Sequence, residues 1–69
     1  MNTIKKVLKN QGRSQMWLAD KIDKSYTVVT NYCNNRNQPS LHVLKSVAEV
    51  LDVDIRELLE PTKTTEDGQ

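Results

Sequence analysis

Four side chains that can hydrogen-bond to the edges of nucleic-acid bases occur within six residues. Asn31 follows Thr27 by four positions and Tyr26 by five, so a helix would carry all three side chains on one face. Thr30 would flank that face. An Asn amide can pair with the N6 and N7 atoms of adenine, and a Thr side chain can hydrogen-bond or contact the methyl group of thymine. Tyr26 can contact a methyl group or reach a phosphate through its hydroxyl group. We therefore predict a base-contacting surface, and the alternative is a polar face that only meets solvent.

Hydrogen-bond donors on both sides of this segment suit phosphate oxygens. Ser14 and Gln15 stand where a predicted helix begins, and free backbone N–H groups and the helix dipole favour an anion there. On the other side, an asparagine-rich stretch carries one Arg, which a phosphate clamp explains more easily than packing does. A plain turn is the alternative for that stretch. Its candidate residues are Asn34, Asn35, Arg36 and Asn37.

Side chains suited to catalysis or metal binding are too few to form a site. Cys33 is the single cysteine and His42 the single histidine, so neither a disulfide within the chain nor a Cys/His metal cluster can form. The chain has no glycine-rich phosphate loop and no nucleophile beside a base. We predict no catalytic residue, metal, cofactor or small-molecule ligand. Cys33 is expected to fill space or lie at the surface, and His42 to be incidental on an exposed helix face.

The length and composition indicate one small domain. Sixty-nine residues bury only a small core, and no apolar run is long enough to cross a bilayer or to act as a secretion signal. A lone cysteine suits a reducing compartment. We expect a cytoplasmic protein without a membrane contact.

The net charge of +1 conceals two halves of opposite sign. Residues 1–45 contain eight Lys/Arg and two acidic residues, a net charge of +6, whereas residues 46–69 contain two and seven, a net charge of −5. Such a molecule could turn its basic half toward a polyanion and its acidic half away. An unevenly charged solvated surface is the alternative.

The elements that position the candidate residues follow from apolar spacing. Residues 3–11 predict a short amphipathic helix that ends at Gly12. Ser14 begins a second helix, and Asp23 stands where a positive φ is needed. Ser25 then begins a third helix over residues 26–34. The inward positions are Ile4, Val7, Leu8 and Gln11 in the first helix, Leu18, Ala19 and Ile22 in the second, and Val29 and Tyr32 in the third.

The small side chain of Ala19 allows the second and third helices to cross closely. Residues 34–39 form a loop, after which Ser40 begins a fourth helix. Asp54 begins a last short helix, Ile55 to Glu60, and Pro61 ends it. The predicted inward residues are Leu41, Leu44, Val47, Ala48 and Leu51 in the fourth helix and Ile55, Leu58 and Leu59 in the last. Residues 62–69 have no apolar side chain, and residues 61–69 are expected to be a disordered tail.

An ordered set of these residues resembles one family. The set is Gln15-x-x-Leu18-Ala19, Ser25, Val29, Pro39-Ser40, Leu44, Val47-Ala48-x-x-Leu51-x-Val53 and Leu58-Leu59. It resembles the Cro/phage-repressor type of helix-turn-helix domain, called XRE-like, over residues 4 to 60. The resemblance implies an all-α, compact five-helix lambda-repressor-like domain over residues 1–60, with a DNA-binding unit at about residues 15–34. It also implies base contacts from Tyr26, Thr27, Thr30 and Asn31, and a Gln15 that bonds a phosphate and braces the third helix.

Two positions depart from the pattern of the family. The turn of such domains has Gly followed by an apolar residue, and this chain has Asp23 and Lys24. The loop after the third helix begins with Gly in the family and has Asn35 here, which can also adopt the left-handed conformation. Lys24 adds a cation near the expected position of a phosphate, and Ser25 beside it joins the candidates for phosphate contact.

The resemblance implies a sequence-specific transcriptional regulator, a bacterial or phage repressor that inserts the third helix into the major groove of double-stranded DNA. We expect a homodimer, at least on DNA, and a palindromic operator. The alternative is a protein-interaction module, such as an antitoxin, that contacts a partner protein through the acidic C-terminal third and the tail and that could also bind its own operator. The role of Trp17 stays open between covering the core edge and contacting another molecule.

Overall fold

The computed structural model describes residues 1–60, and the predicted disordered tail at residues 61–69 lies outside them. Within the described part, the elements are α1 (Ile4–Gln11), α2 (Gln15–Lys21), α3 (Tyr26–Cys33), α4 (Leu41–Leu51) and a 3-10 helix (Ile55–Leu58). The predicted all-α class is confirmed. The fifth element differs from the prediction, since it is a 3-10 helix that ends at Leu58 instead of Glu60.

A serine hydroxyl caps the start of three helices, as their sequences predicted. Ser14 Oγ accepts a hydrogen bond from the backbone N–H of Trp17 at 2.9 Å. Ser25 and Ser40 accept equivalent bonds at 3.1 and 3.2 Å from the residues three positions later. Each bond satisfies a backbone donor that the first turn of a helix cannot pair internally. These caps fix where α2, α3 and α4 begin.

Four residues with positive φ let the chain leave its helices. Gly12, with φ 68°, ends α1, and Asp23, with φ 58°, forms the turn after α2. Asn35 and Asp52 have φ values of 59° and 55° after α3 and α4. Asn and Asp tolerate the left-handed region better than most residues, so the turn and the loop form without the Gly that is usual in the family. The predictions for Gly12, Asp23 and Asn35 are confirmed.

The core lies where the helices converge, and it contains most of the predicted inward residues. The buried apolar side chains are Ile4, Leu8, Leu18, Ala19, Val29, Cys33, Leu44, Val47, Ala48, Leu51 and Leu58. Ile22, Tyr32 and Ile55 are partly buried and pack against this cluster. Cys33 therefore fills space, and burial raises the pKa of its thiol.

Three residues predicted to face the core are exposed. Gln11 is exposed at the end of α1, where its Nε2 donates to the carbonyl of Leu51 at 2.9 Å. Leu41 is 67% exposed because it occupies the first position of α4, beyond the part of that helix that packs on the core. Leu59 is 44% exposed because the chain is extended there, so consecutive side chains point in opposite directions. Leu58 points into the core and its neighbour points out. The inward predictions for Gln11, Leu41 and Leu59 were wrong.

The N-terminal segment pairs with the end of the 3-10 helix. The backbone N–H of Thr3 donates to the carbonyl of Leu58 at 2.9 Å, and that of Glu60 donates to the carbonyl of Met1 at 3.3 Å. The hydroxyl of Thr3 donates to the carbonyl of Glu57 at 2.6 Å. These bonds place residues 1 and 60 side by side.

A capping box starts the 3-10 helix. The Asp54 carboxylate accepts from the backbone N–H of Arg56 at 2.9 Å, and the Glu57 carboxylate accepts from that of Asp54 at 3.3 Å. The guanidinium group of Arg56 donates to both Asp54 oxygens, and this hydrogen bonding lowers the pKa of Asp54. The prediction that Asp54 begins this element is confirmed.

Candidate nucleic-acid interface

The turn between α2 and α3 is fixed by backbone hydrogen bonds to the last turn of α2. The backbone N–H of Lys24 donates to the carbonyl of Ala19 at 3.0 Å, and that of Asp23 donates to the carbonyl of Asp20 at 3.4 Å. Ala19 and Val29 are both buried in the core. A side chain as small as Ala at this position lets the backbones of α2 and α3 approach each other. The orientation of α3 is thereby set by packing on its inner side.

The polar residues of α3 lie on its outer side. Tyr26 is 51% exposed, Thr27 is exposed, and Thr30 and Asn31 are partly exposed. Val29 and Cys33 on the same helix are buried, so the helix has one apolar and one polar side. The structure brings all four candidate base-contacting residues together on one helix, with none of them in the core.

A side-chain hydrogen bond braces α3 against the start of α2. Thr30 Oγ1 donates to Gln15 Oε1 at 3.1 Å. A hydroxyl group has one hydrogen, so while this bond is formed Thr30 can only accept a hydrogen bond from another molecule. The Nε2 group of Gln15 makes no hydrogen bond within residues 1–60 and keeps two N–H donors. The bracing that the family resemblance implied for Gln15 is present.

Trp17 packs against the edge of the core, which is one of the two roles left open for it. It is half-buried and touches the core cluster. The guanidinium carbon of Arg13 lies 4.3 Å from the centre of its ring, within the range of a cation–π interaction. Arg13 is thus held beside the first turn of α2, a contact that the sequence did not indicate.

The loop after α3 folds back on the last turn of that helix. The backbone N–H groups of Arg36 and Asn37 both donate to the carbonyl of Asn31, at 2.9 and 3.4 Å. The side chains of Asn34, Arg36 and Asn37 are exposed. Within the described residues, neither Arg36 nor Lys24 forms a salt bridge. Both cations are therefore available to an external anion.

Asn35 differs from the other candidates in this loop because its side chain is largely engaged within the protein. Its Oδ1 accepts from the backbone N–H of Asn2 at 2.9 Å and from Gln38 Nε2 at 3.1 Å. Its Nδ2 donates to the carbonyl of Asn2 at 3.4 Å, which leaves one N–H for an outside acceptor. Sequence reasoning missed Asn2 altogether. A single Asn before a helix carries no signal of partners more than thirty residues away.

The eight candidate phosphate contacts thus lie in three places. Ser14 and Gln15 lie at the start of α2, Lys24 and Ser25 lie at the turn before α3, and the loop from Asn34 to Asn37 follows α3. All three places adjoin the helix that carries the polar side. No helix in residues 1–60 has the length and apolar character needed to span a membrane.

Comparisons with known proteins agree with this architecture. A helix-turn-helix family model matches residues 4–58. No curated protein is similar enough to match. Among solved structures, the crystal structure of a "putative DNA-binding protein" from Bacteroides fragilis is 45% identical, with a TM-score of 0.83, and the match covers 84% of this chain and 94% of that chain. The elements, the caps and the family match lead to one conclusion, which is that the chain belongs to the XRE-like, Cro/phage-repressor type of helix-turn-helix family.

Proposed function

We propose that this protein is a sequence-specific regulator of transcription that binds double-stranded DNA through α3. The observation that carries the proposal is the outward polar side of α3, where Tyr26 and Thr27 are exposed and Asn31 is partly exposed, while Val29 is fully buried. In helix-turn-helix proteins the second helix of the unit enters the major groove with its N-terminal residues on the base edges. The similarity to a structure described as a "putative DNA-binding protein" supports this role.

Each base-contacting residue has a distinct chemical task. Asn31 offers both a donor and an acceptor, the pair that matches adenine N7 and N6. Thr27 hydrogen-bonds to a base or contacts the methyl group of thymine. Thr30 acts as an acceptor and a methyl contact, since its hydrogen is directed to Gln15. Tyr26 contacts a methyl group or a phosphate near the start of the helix.

The phosphate contacts fix α3 in the groove from both sides. On one side, the contacts are Ser14, Gln15, Lys24 and Ser25, and on the other they are Asn34, Asn35, Arg36 and Asn37. Such contacts set the register of a protein on the duplex and carry no sequence information themselves. The exposed cations Lys24 and Arg36 supply the salt-dependent part of the affinity.

We further propose that the protein is a bacterial or phage repressor that acts in the cytoplasm as a homodimer on a palindromic operator. A single small module buries limited surface on DNA, so tight binding requires two copies. The buried free thiol of Cys33 is compatible with a reducing compartment. Occupancy of the operator would follow protein concentration, a partner or proteolysis.

A selection of bound duplexes from a random pool tests the proposal. The selected duplex and a scrambled duplex of equal length are then titrated across a range of salt concentrations. Specific binding should exceed scrambled binding by about a thousandfold or more at physiological salt, and both affinities should fall as salt rises. A protein that shows no preference between the two duplexes is not a sequence-specific regulator.

A further inference from the structure

Asn2 is a buried polar residue whose side chain joins three parts of the fold. It is 4% exposed. Its Nδ2 donates to the carbonyl of Tyr32 at 2.9 Å and to Gln38 Oε1 at 3.0 Å, and its Oδ1 accepts from the backbone N–H of Ile4 at 3.1 Å. The amide therefore uses both of its donor hydrogens and its acceptor oxygen. It connects the start of α1, the end of α3 and the loop that follows α3.

The backbone of Asn2 is bonded to the same loop. Its N–H donates to Asn35 Oδ1 at 2.9 Å, and its carbonyl accepts from Asn35 Nδ2 at 3.4 Å. Gln38 Nε2 closes the network by donating to Asn35 Oδ1 at 3.1 Å. Asn2, Asn35 and Gln38 thus form a closed set of hydrogen bonds, in which Gln38 bonds to both amide side chains and Asn35 bonds to the backbone of Asn2.

The loop at residues 34–38 has few other attachments to the body of the protein. Its side chains are polar and mostly exposed, and none of them belongs to the apolar core. Its remaining hydrogen bonds are backbone bonds to the last turn of α3. Pro39, directly after this segment, is buried, so residues 34–38 themselves have few buried contacts that oppose their opening apart from the network around Asn2.

We propose that Asn2 is a positioning residue for DNA binding, which holds the loop at residues 34–38 so that Arg36 meets a phosphate at a fixed distance from α3. This inference rests on the proposed function. Asn2 itself is buried and does not touch DNA. Its effect is to order the loop before binding, so that association does not have to pay for that ordering.

Three neutral substitutions separate this role from a general effect on folding. Asn2→Ser keeps an oxygen that can accept from Ile4 but is too short to reach the carbonyl of Tyr32 or the side chain of Gln38. Gln38→Ala, at an exposed position, removes two bonds of the network and leaves the core intact. Thr3→Val is the matched control, since it removes the bond to Glu57 and leaves the loop unchanged.

Two measurements are made on these variants at a temperature where each remains folded by circular dichroism. The first is hydrogen exchange at the backbone amides of Arg36 and Asn37. The second is the slope of the logarithm of the DNA-binding constant against the logarithm of salt concentration. Asn2→Ser and Gln38→Ala should speed exchange, lower affinity about tenfold and reduce the slope by about 0.9, the value for one lost phosphate contact. Thr3→Val should match the wild type in hydrogen exchange and in DNA binding. In a protein that already carries Arg36→Ala, adding Asn2→Ser should not change the salt slope further.

The inference is overturned if Asn2→Ser and Gln38→Ala bind DNA with the wild-type affinity and slope, whether or not exchange is faster. If Asn2→Ser does not fold, Gln38→Ala decides by the same criteria. A wild-type protein that shows no preference for the selected duplex over the scrambled one would contradict the proposed function instead. Hydrogen exchange would then still show whether Asn2 holds the loop.

Discussion

Asn31 is the residue from which we expect the largest single contribution to sequence preference. Its side chain lies on the outer side of α3, and its backbone carbonyl accepts hydrogen bonds from Arg36 and Asn37. Asn31→Ala keeps those backbone bonds and removes only the amide. The substitution should cost about 1–3 kcal/mol of binding free energy and relax preference at one base pair.

The measurement is a titration of the selected duplex and of its three single-base replacements at each position. Asn10→Ala, at an exposed position of α1, is the matched control and should bind as the wild type does. If Asn31→Ala loses the same binding free energy on every duplex, Asn31 contacts the DNA backbone and not a base.

The hydrogen bond between Thr30 and Gln15 shows how much of the chemistry of individual side chains can be predicted from the sequence. The residue types of α3 indicated a polar face capable of base contact, and the family resemblance implied that Gln15 braces the helix. Neither indicated that Thr30 is the partner. That pairing depends on the distance between two helices, which residue spacing along one helix does not contain.

At the scale of the elements, the crossing of α2 and α3 is the feature most sensitive to side-chain volume. Ala19 is 5% exposed and lies in the core. Ala19→Leu should lower the free energy of unfolding by about 1–3 kcal/mol, because the added atoms force the two helices apart. It should also weaken binding to the selected duplex, since α3 is moved relative to the groups that contact phosphates.

Urea denaturation followed by circular dichroism measures the change in stability. The control is Lys21→Leu, which adds an apolar side chain at an exposed position of the same helix and should change stability by less than about 0.5 kcal/mol. Equal stability of Ala19→Leu and Lys21→Leu would show that α2 and α3 have spare room where they cross.

The starts of α2, α3 and α4 and the ends of α1 and α2 were predictable because local residues determine them. Ser14, Ser25 and Ser40 supply the caps, and Gly12 and Asp23 supply the positive φ values. The errors at Leu41 and Leu59 have one cause. Apolar spacing indicates which way a side chain points, but it does not indicate whether other helices extend far enough to cover that side chain. The network around Asn2 was not predictable, because its partners are 30 to 36 positions away in the chain.

At the scale of the whole molecule, the proposed dimer makes a geometric prediction about the operator. Two copies related by a two-fold axis place their α3 helices in successive major grooves, so the centres of the half-sites lie about 34–36 Å apart. Inserting about 5 base pairs between the half-sites turns one of them to the opposite face of the duplex. Affinity should then fall to that of a single half-site.

Gel-shift titrations of the original and extended operators measure this effect. An insertion of about 10 base pairs is the control for added length, because it restores the half-sites to the same face. If the original operator and the one lengthened by about 5 base pairs bind equally well, the two copies bind independently and the dimer proposal is wrong.

The pairing of residue 1 with residue 60 has a steric consequence for any larger protein built on this domain. Both positions lie at one corner, beside the loop that Asn2 holds. A further domain fused at either position would be attached at that same corner. It would lie on the side of the domain where we propose that Arg36 meets a phosphate, and would hinder the approach of DNA there.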